Sequence, residues 1–196
     1  MHKMFQIVCG GVALLFILSC IPEIIPYESM LDTPARHYKN GMKLFQAGKI
    51  EASKSEFYRS LEIDQEFAPG FVGLGLISGL RGDYSDAIEK MVLADLYTRN
   101  RSEIAMVHVG FMRIYLMGRE KISTDWLKNI EEHFEKAVLL AHEIPEPYYY
   151  MGFAYKAALE LDKAAEQFVH VMNMKKDFVS EASEQLSTIQ EMRTGS

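Results

Sequence analysis

Two cysteines occur in the 196 residues, at positions 9 and 20. Cys20 is the one placed for chemistry. It follows Ser19 at the end of a short apolar run, Ile7 to Leu18, which itself follows a polar head of His2 and Lys3. A charged head, a short greasy core and a small residue at a cut site are the parts of a secretory signal. The other candidate groups do not assemble. His37, His108, His133, His142 and His170 have no partner four residues away on a helix with which to hold a metal. Glu131, Glu132 and Glu135 form a charge run, and three neighbours on one helix read as a solvated face rather than an acid–base pair. No strand pattern precedes a glycine-rich loop, so no phosphate cradle is expected. The expectation is a chain with no catalytic residue, no metal site and no cofactor: not an enzyme.

The Ser19-Cys20 junction resembles the lipobox of bacterial lipoproteins. That resemblance implies a diacylglycerol thioether on Cys20 and cleavage after Ser19, making residues 1–19 a signal peptide. Leu18 departs from the pattern, which usually has a small or β-branched residue two places before the cysteine. An uncleaved signal anchor is the alternative. Against it, the run from Ile7 to Ile21 falls short of the roughly 20 residues that span a bilayer, and Pro22 and Glu23 end it. A simply secreted chain would leave Cys20 as an unpaired thiol in an oxidising compartment. Ile21, not Asp, follows the cysteine. By the sorting rule of such lipoproteins this implies the outer membrane, facing the periplasm. Residues 20–31 read as a tether: Pro22 and Pro26 forbid a helix, and Ile24, Ile25 and Tyr27 are apolar without period. Those side chains either dock on the domain or dip into the bilayer interface.

With 48% hydrophobic residues the chain can build one well-cored domain. Its 21 basic and 27 acidic residues give a net charge of −6. That balance argues against nucleic acid, which calls for a basic face. It also gives no pull toward anionic lipid, so membrane attachment would come through the lipid anchor.

The elements behind these residues repeat. From Ala68 to Arg101, Phe71, Leu74 and Gly75 share a helical face, Gly82-Asp83 make a turn, and Ala87, Met91 and Ala94 recur on a second helix. From Pro145 to Phe178 the same places hold Tyr148, Met151-Gly152, Tyr155, Ala164, Phe168 and Val171, with Leu159 where the turn glycine would be, which suggests a tighter or more helical turn. Pro34 to Phe67 is a third copy, with Gly41, Gly48, Phe57, Ser60 and Leu61; His37 and Asn40 replace the usual aromatic and Leu. A fourth, around Val109-Gly110 and Phe134 to Ala137, is eight residues longer near Gly118 to Trp126. That excess is either a functional hairpin or a plain extension of two helices. The pattern resembles the tetratricopeptide repeat (TPR). The resemblance implies an all-α, TPR-like helical-hairpin solenoid over residues 32–178, about four repeats, with residues 179–196 as a capping helix and tail.

In that family the first helix of each hairpin lines a concave groove. Helical spacing assigns Tyr38, Met42, Phe45, Val72, Leu76, Phe111, Tyr115, Tyr149 and Phe153 to this wall as candidate partner-binding residues, with Val107 and Ile114 beside them. The wall would be apolar and aromatic, without the basic residues of a carboxylate clamp, and would take an apolar segment of another protein. Packing between hairpins is the competing use of such a stripe. The resemblance extends in architecture to lipid-anchored TPR proteins that pilot secretins or serve outer-membrane assembly. The expected function is an envelope assembly, targeting or pilotin-type adaptor, and the alternative is a periplasmic scaffold for a wall-remodelling or other envelope enzyme complex.

Overall fold

A computed structural model describes residues 32–195. The signal peptide, Cys20 and the whole tether lie outside the described residues. Among the described residues nine α-helices follow one another: α1 Pro34–Gln46, α2 Ile50–Ile63, α3 Ala68–Leu80, α4 Tyr84–Leu96, α5 Arg101–Gly118, α6 Trp126–Ala141, α7 Glu146–Ala157, α8 Leu161–Met174 and α9 Val179–Thr194, with a short 3₁₀ turn at Arg119–Lys121. No strand occurs among the described residues.

The start of α1 shows how local chemistry sets these boundaries. The Thr33 hydroxyl accepts from the Arg36 amide, and Pro34 fills the first turn. Asp83 caps α4 and Asn100 caps α5 in the same way. The helices pair as hairpins α1/α2, α3/α4, α5/α6 and α7/α8. Their first helices, α1, α3, α5 and α7, lie side by side as the inner layer, and α9 covers α8. This is an all-α, TPR-like hairpin solenoid with a terminal cap.

A recurring notch sets the spacing of the layers. Phe57, Met91 and Phe168, on the second helices, are fully buried. Each sits against a glycine sixteen residues earlier: Gly41, Gly75 and Gly152. A Cβ at those glycines would fall 2.5, 2.7 and 2.8 Å from the side chain in the notch. Phe57 and Met91 are gripped from the next hairpin too, by Gly73 and Gly110. Large side chain and missing side chain are therefore one device, locking three of the four hairpins internally and two of them to the next hairpin.

Three hairpins turn by the same geometry. Gly48, Gly82 and Leu159 have φ of 72°, 83° and 63°. In each case the next amide, of Lys49, Asp83 or Glu160, donates to the carbonyl five residues back. Leu159 therefore makes the same turn as Gly48 and Gly82 in a backbone region that disfavours its side chain, not the tighter or more helical turn expected. In the long repeat both the helices and the connection between them grow, the connection running from Arg119 to Asp125 where Arg81 to Asp83 joins α3 to α4. Helices α5 and α6 have 18 and 16 residues, against 13 in each of α3 and α4. Trp126 is buried against Met112, Ile130 and Met151, and its indole donates to Glu120 at 3.0 Å.

Candidate functional site

The inner faces of the first helices enclose a groove of about 280 Å³. Helix α1 contributes Tyr38, Met42 and Gln46, one stripe at four-residue spacing. Val72 forms part of the floor from α3. Met106, Val109, Gly110 and Arg113 form the stripe of α5, and Glu146 and Tyr150 that of α7. Phe178, in a left-handed backbone conformation at the start of α9, lines it as well.

Two features give the groove its chemistry. The Arg113 guanidinium lies 5.6 Å from the Phe45 ring centroid and 5.0 Å from that of Tyr150, a cation held between two π faces. It makes no salt bridge or hydrogen bond among the described residues. Opposite in sign, Glu146 places Oε2 out of contact with water and without a hydrogen-bond partner. A buried polar atom left unpaired costs about 1–3 kcal/mol, so this oxygen favours any donor brought to it. Tyr38 lies in the field of both groups, and burial pushes its phenol up to about 12, keeping it a neutral donor.

The expected wall is only partly this groove. Tyr38, Met42 and Val72 line it, and Phe45 reaches it through Arg113. Of the others, Leu76 and Phe111 are buried, and Tyr115, Tyr149 and Phe153 are half-buried against neighbouring rings. Leu76 is 1% exposed, beside Met91. Phe111, 8% exposed, stacks on His133 with centroids 4.4 Å apart, and Tyr115 packs on the same ring at 6.0 Å. Tyr149 stacks on Phe178 at 4.5 Å, and Phe153 meets Phe168 edge-on at 5.4 Å. Val107 and Ile114 are fully buried. On α5 and α7 the apolar stripe thus points into the core, and the groove is lined one position away, a rotation of about 100° on a helix. Val109, Gly110, Arg113, Glu146 and Tyr150 were missed because the search followed hydrophobicity, and two of these five are charged. The uncharged wall expected from sequence is instead apolar with one cation and one anion.

Two histidine sites lie outside the groove. His108 and His133 face each other with Nδ1 atoms 3.2 Å apart, one ring donating to the other. Burial lowers both pKa values; for His133 burial, His108 and Lys136 bring it down to about 4. Both rings are therefore neutral near pH 7. His37 behaves oppositely. Burial acts to lower it, but hydrogen bonds to Asp32 at 2.6 Å and Glu56 at 2.7 Å prevail and raise it. Arg59 joins the same network through Asp32. No group of three or more His, Cys, Asp or Glu residues able to hold a metal occurs among the described residues. No helix among them is long and apolar enough to cross a membrane.

No family model matches the sequence. No curated protein matches it either. Among solved structures, PilF of Pseudomonas aeruginosa is similar at 16% identity and a TM-score of 0.38, over 82% of this chain and 91% of that chain. A chain of the APC/C Cut9–Hcn1 hetero-tetramer is similar at 13% identity and a TM-score of 0.37, over 85% of this chain and 39% of its own length. Likeness at this level carries nothing about what this chain does, and the solenoid described above rests on the chain's own helices and their packing.

Proposed function

We propose that this chain is a protein-binding adaptor of the bacterial envelope, anchored by a lipid on Cys20, which holds a segment of a client protein in its inner groove. The observation that carries the reading is the groove itself: a cleft on the inner layer, walled by Met and aromatic side chains, with Arg113 and Glu146 Oε2 unpaired among the described residues. Its volume lies just below the roughly 300–1,000 Å³ usual for small-molecule pockets, so it suits a few anchoring side chains of a longer segment. Thioether groups at Met42 and Met106 suit a surface that must adapt to its partner. The Ser19-Cys20 junction supports the anchor, and Ile21 after it supports the periplasmic face of the outer membrane. An assembly, targeting or pilotin-type role follows from that location, and the chain catalyses nothing.

Site-specific photocrosslinking in cells tests it. A benzophenone amino acid replaces Tyr150 in the groove, or Leu139, which is 76% exposed on α6. A discrete adduct with an envelope protein from Tyr150 and not from Leu139 is expected. No adduct from the groove, or the same adducts from both positions, would refute the reading. The anchor is tested by fatty-acid labelling, which Cys20→Ser should abolish.

A further inference from the structure

We infer that the inner groove selects client segments that carry a single carboxylate beside apolar side chains, with the carboxylate meeting Arg113. The inference rests on the adaptor reading and names the chemistry of the segment held. Its support is the contrast between Arg113 and arginines elsewhere in the chain. Arg59, Arg81, Arg99 and Arg193 each meet a carboxylate of the fold, and Arg101 donates to the Leu139 carbonyl. Acidic residues outnumber basic ones, 27 to 21, so such partners are not scarce. Half-buried Arg113 meets none of them among the described residues, and the rings of Phe45 and Tyr150 hold it instead. Stacking engages the faces of a guanidinium and leaves the N–H groups at its edge open to a carboxylate. The side chain is thereby ordered before a partner arrives, which lowers the entropy cost of binding.

The neighbours of Arg113 set what must flank the carboxylate. Met106, Val109 and Arg113 follow one another along the groove side of α5, three and four residues apart. Such neighbours on a helix are roughly 5–6 Å apart, close to the roughly 6–7 Å between alternate side chains of an extended segment. An extended segment lying along α5 therefore sets two apolar side chains and then a carboxylate, at alternate positions, against these three in turn. Met42 and Val72 line the same cleft from α1 and α3 and add to its apolar part. Glu146 limits the acid to one. Its carboxylate shares the cleft with Oε2 unpaired, so a run of acidic residues or a doubly charged phosphate meets repulsion there. A wholly apolar segment is disfavoured too, because it would cover the guanidinium without supplying an acceptor.

The test is fluorescence anisotropy on the full-length chain in detergent micelles. The probe is a rhodamine-labelled peptide, Ser-Leu-Ser-Val-Ser-Glu-Ser with an amidated C-terminus, used in this order and reversed. Replacing its Glu by Gln should weaken binding by about tenfold or more, the scale of losing one charged hydrogen bond. Arg113→Gln should erase that preference, and Arg113→Glu should transfer it to a peptide with Lys in place of Glu. A transferred preference also shows that the variant is folded; if Arg113→Glu binds neither peptide, Arg113→Gln decides. Equal binding of the Glu and Gln peptides by the native chain in both orders, or no saturable binding of either, overturns the inference with no variant needed. A Glu preference that survives Arg113→Gln overturns it as well. The proposed function is judged separately by the crosslinker at Tyr150. If that position captures an envelope protein while the native chain does not tell Glu from Gln, the inference falls and the adaptor reading stands. If the peptides show the preference and Tyr150 captures nothing, the groove's selectivity stands and the adaptor role falls.

Discussion

Replacing Leu159 by glycine should stabilise the protein. Leu159 sits at φ 63°, in the turn where Gly48 and Gly82 occupy the equivalent positions at 72° and 83°. A side chain in the left-handed region costs about 1–2 kcal/mol, because Cβ crowds the following carbonyl. Glycine removes that cost but loses roughly 0.5–1 kcal/mol through the greater freedom of the unfolded chain. The leucine side chain is 73% exposed, so little burial is forfeited. The net expectation is a gain of about 0.5–1 kcal/mol, or roughly 2–4 °C per kcal/mol in melting temperature for a chain of this size. Urea unfolding followed by circular dichroism reads it as a higher midpoint at unchanged slope. The reciprocal variant, Gly82→Leu, should lose about as much, since a Cβ there meets nothing within 4 Å and only the backbone term changes. An unchanged or lower midpoint for Leu159→Gly would refute the strain argument, and a neutral Gly82→Leu would show that the turn tolerates side chains freely.

Four further outcomes follow from packing and charge. Ala87→Leu should destabilise by about 1–3 kcal/mol, read from the same urea midpoint, because Ala87 is fully buried and its carbonyl oxygen already lies 3.2 Å from where a Gly75 Cβ would be. Phe111→Ala should cost about 3 kcal/mol or more through lost burial and the cavity beside His133, with a matching drop in melting temperature. Acid should weaken the α5/α6 hairpin: the depressed His133 pKa means the unfolded chain binds a proton below about pH 6.5 that the folded chain refuses until about pH 4, so stability falls between those values. Allowing for the ring's partial exposure, that loss is about 1–2 kcal/mol. His133→Gln should flatten this limb of the pH–stability curve. His37 has the opposite sign, its raised pKa giving stability that is present in acid and lost as pH rises through it, so His37→Gln should steepen the acid limb.

The hairpins were legible because their signals are steric and periodic. Gly41, Gly75 and Gly152 precede Phe57, Met91 and Phe168 by one fixed interval, and only a notch holding a large side chain demands that pairing. In the long repeat the interval from Gly110 to Phe134 grows by eight residues, shared between longer helices and a longer connection from Arg119 to Asp125. Leu159 was misjudged because residue type was taken to report turn geometry, whereas the hydrogen bond from Glu160 back to Tyr155 fixes the turn and leaves Leu159 to bear it.

The groove was harder to read for a reason built into solenoids. A first helix packs on its own partner and on both neighbouring hairpins, so most of its surface is interior and most of its apolar residues belong there. On α5 the fully buried Val107 and Ile114 and the nearly buried Phe111 satisfy that demand, and what is left for the concave side is Met106, Val109, Gly110 and Arg113. The informative residue on such a helix is therefore the polar one that interrupts the pattern. Arg113 is the only charged residue in the stretch from Ile104 to Gly118. A guanidinium held there between two aromatic rings, with no carboxylate among the described residues to meet it, is a stronger sign of an occupant than any aromatic residue of the apolar stripe.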